Sequence, residues 1–79
     1  MSPEEQKYYE TYFDLFLHPG WKQFVEEIND ILDNHRIEDI KNESHLAFVK
    51  GEREALFRVR RFETGMKSAY DVLTKQDNA

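Results

Sequence analysis

Residues 43–75, ESHLAFVKGEREALFRVRRFETGMKSAYDVLTK, decide the fold of this 79-residue chain. Their apolar side chains recur every three or four residues, so the segment predicts one long amphipathic helix. The stripe consists of Leu56, Val59, Glu63, Met66, Tyr70 and Leu73, widened by Phe62 and Ala69. Only Glu63 places a charge in this stripe. A salt bridge to a nearby arginine is the favoured explanation, and a buried acid is the alternative.

Small residues line another part of the same segment. Ala47, Gly51 and Ala55 are spaced four apart, which puts them on one helix face and leaves a shallow groove. A glycine inside a helix costs about 1 kcal/mol relative to alanine. We therefore expect another helix to pack closely along this line. Gly65 and Ala69 repeat the spacing and predict a second close crossing.

A shorter helix is predicted over residues 3–17. Ser2 can cap it, Pro3 suits its first position, and Glu5 completes a capping box. Its apolar stripe is Tyr9, Tyr12, Phe13, Phe16 and Leu17. Pro19 disfavours a helical conformation at His18, so the first helix should end there.

The second helix is predicted over residues 20–34, with an extension to residue 41 left open. Its apolar face comprises Trp21, Phe24, Val25, Ile28, Ile31, Leu32 and His35. Ile37 and Ile40 fall out of that register, which indicates a bend or turn. The expected fold is a single all-α domain over residues 1–79: a short N-terminal aromatic helix plus a helical hairpin of two longer helices.

Size and charge favour association with a protein partner. A lone domain this small is marginally stable, and the chain has no cysteine for a disulfide. Residues 1–45 carry eleven acids and four bases, a net charge of −7, whereas residues 46–79 carry seven bases and five acids, a net charge of +2. Packing of the acidic helix beside the basic one would explain this asymmetry, and so would head-to-tail contact between copies.

No signal peptide or membrane-spanning run is recognisable, so we expect a soluble intracellular protein and no membrane partner. Catalytic, cofactor and metal sites are not expected either. His18, His35 and His45 lie in three different elements without ligand spacing, and no phosphate-binding glycine motif is present. The acidic residues of the second helix suit a solvated face.

Aromatic residues near the N-terminus are candidates for a partner interface, because tyrosine tolerates both apolar and wet surroundings. They are Tyr8, Tyr9, Tyr12, Phe13, Phe16 and Trp21. The alternative, with equal weight, is that this helix caps the hairpin within the chain.

One basic segment could contact phosphates. It contains Lys50, Arg53, Arg58, Arg60 and Arg61. Glu52 and Glu54 interrupt it, however, and Glu54 is well placed to pair with Arg58 at i, i+4. Nucleic-acid binding is therefore disfavoured.

The strings Tyr8–Phe16 (YYETYFDLF) and Pro19–Phe24 (PGWKQF) resemble small proteins of tailed bacteriophages, including marine podovirus types. The resemblance extends to residues 37–40 and 49–51 and rests on structural motifs. It implies a phage origin and carries over no functional residue.

These observations predict a non-enzymatic interaction protein that assembles with itself or with larger phage components, in the infected host cell or the virion. A small acidic inhibitor or regulator of a host enzyme or defence complex is the alternative. Nucleic-acid binding through residues 50–61 is the third.

Overall fold

The computed structural model describes residues 1–78, and it confirms the all-α prediction. Helix α1 spans Pro3–Leu17, α2 spans Pro19–Asp33, and α3 spans Glu43–Asp77. A single 3-10 turn, Ile37–Asp39, lies between α2 and α3. Within residues 1–78 there is no β-strand.

Helix α1 begins with the capping box that its sequence predicts. The Ser2 hydroxyl accepts a hydrogen bond from the Glu5 backbone N–H (3.1 Å), and the Glu5 carboxylate accepts one from the Ser2 N–H (3.2 Å). These bonds satisfy two amide groups that a helix N-terminus otherwise leaves unpaired.

A single residue, His18, separates α1 from α2. Its backbone is extended, because Pro19 follows it, and this breaks the helical path. The His18 Nδ1 atom then accepts a hydrogen bond from the Gly20 N–H (2.9 Å) and caps α2. The junction is therefore a sharp bend with no loop.

Helices α1 and α2 follow one another along the same side of α3, and both run antiparallel to it. Hydrogen bonds show the alignment: Gln6 to Tyr70 (3.2 Å), Trp21 to Glu63 (2.9 Å), and Arg53 to the Leu32 carbonyl (2.9 Å). Residue numbers rise along α1–α2 while they fall along α3. The long helix thus pairs with one broken helix made of two segments of 15 residues each.

This arrangement corrects two expectations. Helix α2 is no longer than α1, so the hairpin does not consist of two longer helices. The open extension of α2 to residue 41 is also not formed, because α2 ends at Asp33 and Ile37–Asp39 makes a separate turn. The Asn42 side chain accepts a hydrogen bond from the His45 N–H (2.8 Å) and starts α3 there.

The core is small for a chain of this length. Among residues 1–78, only Phe16, Ile28 and Leu32 are buried, each with 4–5% of its surface still exposed. The radius of gyration is 17.1 Å, and the body extends 52 Å in its longest direction. A compact domain of this length would have a radius of gyration of about 12 Å. The single chain is therefore elongated, and α3 has helical neighbours along one side only.

Within residues 1–78, no helix combines the length and the apolar character that crossing a membrane requires.

Candidate interaction surfaces

The line of small residues on α3 is uncovered. Ala47, Gly51, Ala55, Gly65 and Ala69 are all exposed, and a Cβ built on either glycine would meet no atom within 4 Å. The two close helix crossings expected there are therefore not made within residues 1–78. The packed face of α3 lies roughly a quarter turn away around the helix.

The physical reason is the size of the side chains on that packed face. Leu56, Val59 and Tyr70 are partly buried there, whereas the small-residue line faces solvent. Burying a large apolar side chain contributes about 2 kcal/mol, and a glycine has no side chain to bury. Packing of α1 and α2 is therefore decided by the large side chains.

A groove lies beside the small-residue line, between α2 and α3. It has a volume of about 370 Å³ and is lined by Trp21, Phe24, Arg58, Val59 and Phe62. Phe24 is 43% exposed at its edge. A second shallow depression, lined by Gly51, Glu54, Ala55 and Arg58, adjoins it through Arg58.

Ring contacts extend this surface onto α1. The Tyr12 ring meets Phe62 edge-on with 5.0 Å between centroids, and Tyr8 meets Tyr12 at 5.3 Å. Ile31 is seven residues from Phe24 and therefore shares its side of α2. Phe48 is three residues before Gly51, and Leu15 is three residues after Tyr12, so each continues the same side of its own helix.

We call this side of the molecule the apolar flank. It consists of Tyr8, Tyr12, Leu15, Phe24, Ile31, Phe48, Phe62 and the small-residue line, with Glu54 and Arg58 as its charged members. Ile31 is 45% exposed and Phe48 is 65% exposed.

Three of the six aromatic residues proposed as a partner interface pack inside the chain. Tyr9 and Phe13 contact Tyr70 edge-on, with centroids 5.5 and 5.1 Å apart. Phe16 contacts both Trp21 (5.4 Å) and Phe62 (5.8 Å) and is 4% exposed. The expectation that all six form an external interface is therefore wrong for Tyr9, Phe13 and Phe16. They attach α1 to α3 and α2.

The opposite side of the molecule, which we call the charged flank, makes several polar contacts within the chain. It contains Lys22, Glu26, Asn29, Arg53, Phe57, Arg60, Glu63 and Lys67. The Arg60 guanidinium lies over the Phe57 ring (4.6 Å from its centroid), and Arg53 lies near the same ring (5.3 Å).

At the end of α2, one cluster joins both helices. Arg53 Nη1 donates to the Leu32 carbonyl and to His35 Nδ1, each at 2.9 Å. Because arginine has no acceptor, His35 Nδ1 must be the unprotonated nitrogen, and Nε2–H then donates to Glu52 Oε1 (2.8 Å). Sequence reasoning did not find this cluster, although its charged residues come from residues 49–56 of α3, which lie opposite the end of α2.

Glu63 is neither buried nor paired with an arginine, which corrects the favoured explanation. Its carboxylate accepts hydrogen bonds from Lys67 Nζ (2.7 Å) and from Trp21 Nε1 (2.9 Å). These bonds, first that of Lys67 and then that of Trp21, hold the pKa of Glu63 below its usual value, and partial burial opposes them only weakly. Glu63 is therefore an anionic acceptor at neutral pH.

The basic segment is divided between the two flanks. Arg58 and Arg60 are two positions apart, which places them nearly opposite one another around α3. Arg53 and Arg60 contact α2, and Arg58 reaches Glu54 at 3.5 Å. Lys50 and Arg61 are exposed. The five predicted basic residues therefore do not form one continuous patch.

The carboxylates of α2 do not pair with the basic residues of α3. Glu26, Glu27, Asp30 and Asp33 are exposed, and within residues 1–78 none of them forms a salt bridge. Direct pairing of α2 acids with α3 bases therefore does not explain the charge asymmetry of the sequence.

The three histidines hold local structure: His18 caps α2, His35 joins α2 to α3, and His45 Nδ1 accepts from the Lys41 N–H (3.1 Å). In the described part of the chain, no three acidic or histidine side chains converge to hold a metal ion.

No protein-family model matches this chain, and no curated protein or solved structure is significantly similar to it.

Proposed function

We propose that this chain is a non-enzymatic helical interaction protein that assembles with copies of itself, as an accessory component of a larger phage-type assembly. The uncovered apolar flank is the observation that carries this proposal. Phe24, Ile31 and Phe48 are each more than 40% exposed and lie on one side of the molecule. Contiguous exposed apolar surface of this kind marks an interaction site.

The fold supports the same proposal. A helical hairpin buries one stripe of each helix, and further apolar surface is buried only when another helical layer is added. Here the chain supplies one layer along α3 and no second layer.

Self-assembly is tested by sedimentation velocity of the full chain between micromolar and hundreds of micromolar concentrations. We expect a concentration-dependent shift from the mass of one chain, 9.5 kDa, to a multiple of it. A single 9.5 kDa species throughout would contradict self-assembly. Mass spectrometry of purified phage particles then distinguishes a virion component from a protein confined to the infected cell.

A regulator that binds a basic surface on a host enzyme or defence complex is the second candidate. The exposed, unpaired carboxylates of α2 favour it, because solvated charge of one sign speeds encounter with a surface of the opposite sign. Reversing Glu26 and Asp30 to lysine would abolish such binding. It would leave self-assembly through the apolar flank unchanged.

A further inference from the structure

The side chains of the apolar flank are spaced so that the flanks of two copies can fit against each other. We infer that it forms the interface of a twofold-symmetric dimer in which α3 of one copy lies antiparallel to α3 of the other, with Gly51 against the partner's Phe62. This inference rests on the proposed self-assembly and adds which surface and which geometry are used.

The first argument is area. The chain exposes 6323 Å² of surface. A compact monomer of 9.5 kDa exposes about 5,000 Å², so this chain carries roughly 1,300 Å² in excess. A standard interface requires about 800 Å² from each partner. The excess surface is therefore large enough for one dimer interface.

The second argument is shape. Antiparallel α3 helices that place Gly51 opposite the partner's Phe62 also place Phe48 opposite the partner's Gly65, and Ala55 opposite the partner's Arg58. All three pairs arise from a single register, and the twofold axis repeats each of them. Both glycines have open space at the Cβ position, so each can receive a large side chain.

The third argument is charge. In the same register, Glu54 lies within one residue of the position opposite the partner's Arg58. Within the chain these two side chains make only a long contact of 3.5 Å, and their side chains remain 69% and 77% exposed. An isologous interface must present complementary groups on one surface, and this acid–base pair does so. The complementarity identifies a second copy of this chain as the occupant.

The α2 helices fit the same symmetry. The axis that relates the two α3 helices also crosses α2 near Ile28, because α2 is aligned antiparallel to α3. Phe24 then approaches the partner's Ile31, and both side chains lose the exposure that they have in the single chain. The dimer is a two-layered helical assembly in which each hairpin forms one layer.

The interface is tested with Ala55→Arg, which places a long charged side chain at its centre. Ala55 is exposed in the single chain, so the variant should keep its helical content by circular dichroism. Thr64→Arg is the matched control, because Thr64 is exposed on the opposite side of α3 from Ala55. Sedimentation equilibrium measures the dimer dissociation constant of all three proteins.

We expect Ala55→Arg to raise that constant at least about 30-fold, as central interface positions do. Thr64→Arg should leave it within about threefold, as exposed positions do. A wild-type dimer that Ala55→Arg leaves intact would overturn this interface while the proposed self-assembly stands. A wild-type chain that is monomeric throughout would instead overturn self-assembly itself, and this interface with it.

The register is tested by charge exchange. Glu54→Arg and Arg58→Glu should each weaken the dimer, and the double variant should recover most of the loss. A double variant weaker than both single variants would overturn the antiparallel register. The absence of cysteine also permits a direct check: Ala55→Cys should be joined by a short bis-maleimide cross-linker, and Thr64→Cys should not.

Discussion

The two flanks of the hairpin are formed by the same helices. They differ in how many of their side chains find partners within the chain. On the charged flank, Arg53, Arg60 and Glu63 find partners on α2. On the apolar flank, Phe24, Ile31 and Phe48 remain substantially exposed. Three polar groups on one flank thus find partners within the chain, whereas three large apolar groups on the other remain exposed. Stability of the single chain and the proposed association would therefore depend on different sides.

The largest expected effect comes from the buried side chains that lie between the two flanks. Leu32→Ala truncates one of the three buried side chains and should cost about 3 kcal/mol of unfolding free energy. Thermal unfolding followed by circular dichroism at low micromolar concentration measures it. The control is Ile31→Ala, because Ile31 directly precedes Leu32 in the chain and is 45% exposed. It should cost about 1 kcal/mol or less. Equal losses would mean that Ile31 is as well packed as Leu32.

Next in size, Arg53→Ala tests whether the charged flank stabilises the single chain. The change removes the hydrogen bonds to the Leu32 carbonyl and to His35, so we expect a loss of about 1–2 kcal/mol. Phe48→Ala on the apolar flank should cost less than about 0.5 kcal/mol in the unassociated chain. Urea unfolding at low protein concentration compares the two variants. A larger loss for Phe48→Ala would reverse the comparison between the flanks.

A smaller effect depends on pH. Because the folded state lowers the pKa of Glu63, its carboxylate stabilises the fold above the ordinary pKa, and this contribution disappears as pH falls through the folded-state pKa. Glu63→Gln should therefore lower the unfolding midpoint at pH 7, and the difference from wild type should vanish in acid. Thermal unfolding from pH 7 to pH 3 measures this. A difference that grows toward acid would show that the pKa shift has the opposite sign.

The smallest effect has the opposite direction. Gly65→Ala should stabilise the single chain by about 0.5–1 kcal/mol, since alanine is the better helix former and its Cβ meets open space. Chemical unfolding at low concentration measures the gain. Ser68→Ala, one turn later and also exposed, should have a smaller effect and serves as the control. If Gly65→Ala instead destabilised the chain, another part of the chain would have to pack against the glycine.

Local signals predicted the helices well. Ser2 and Glu5 formed the expected capping box, and Pro19 begins α2, because both features act on residues within one turn. Ile37 and Ile40 fall out of the register of α2, which ends at Asp33. The extension to residue 41 that the sequence left open depends on the pairing of His35 with α3, which a local pattern does not show.

Contacts between helices were harder to foresee. The sequence pattern shows that Gly51 and Ala55 share a face. Which face of α3 is packed, however, depends on the free energy gained by burying the large apolar side chains. Trp21 was similarly not foreseen as a partner of Glu63, because the bend at His18 decides that its indole reaches the carboxylate. The other partner, Lys67, is a local i, i+4 neighbour on α3. Which residues of two helices lie opposite each other depends on the geometry of the junction between them. The periodicity within one helix contains no information about that geometry.

The three-residue core has a consequence for the life of the molecule in a cell. With so little buried in one chain, we expect frequent opening that exposes it to proteases, and the proposed assembly would protect it. Each copy would then last longer when more copies are present. The rate of synthesis would therefore determine how long each molecule survives as well as how many there are.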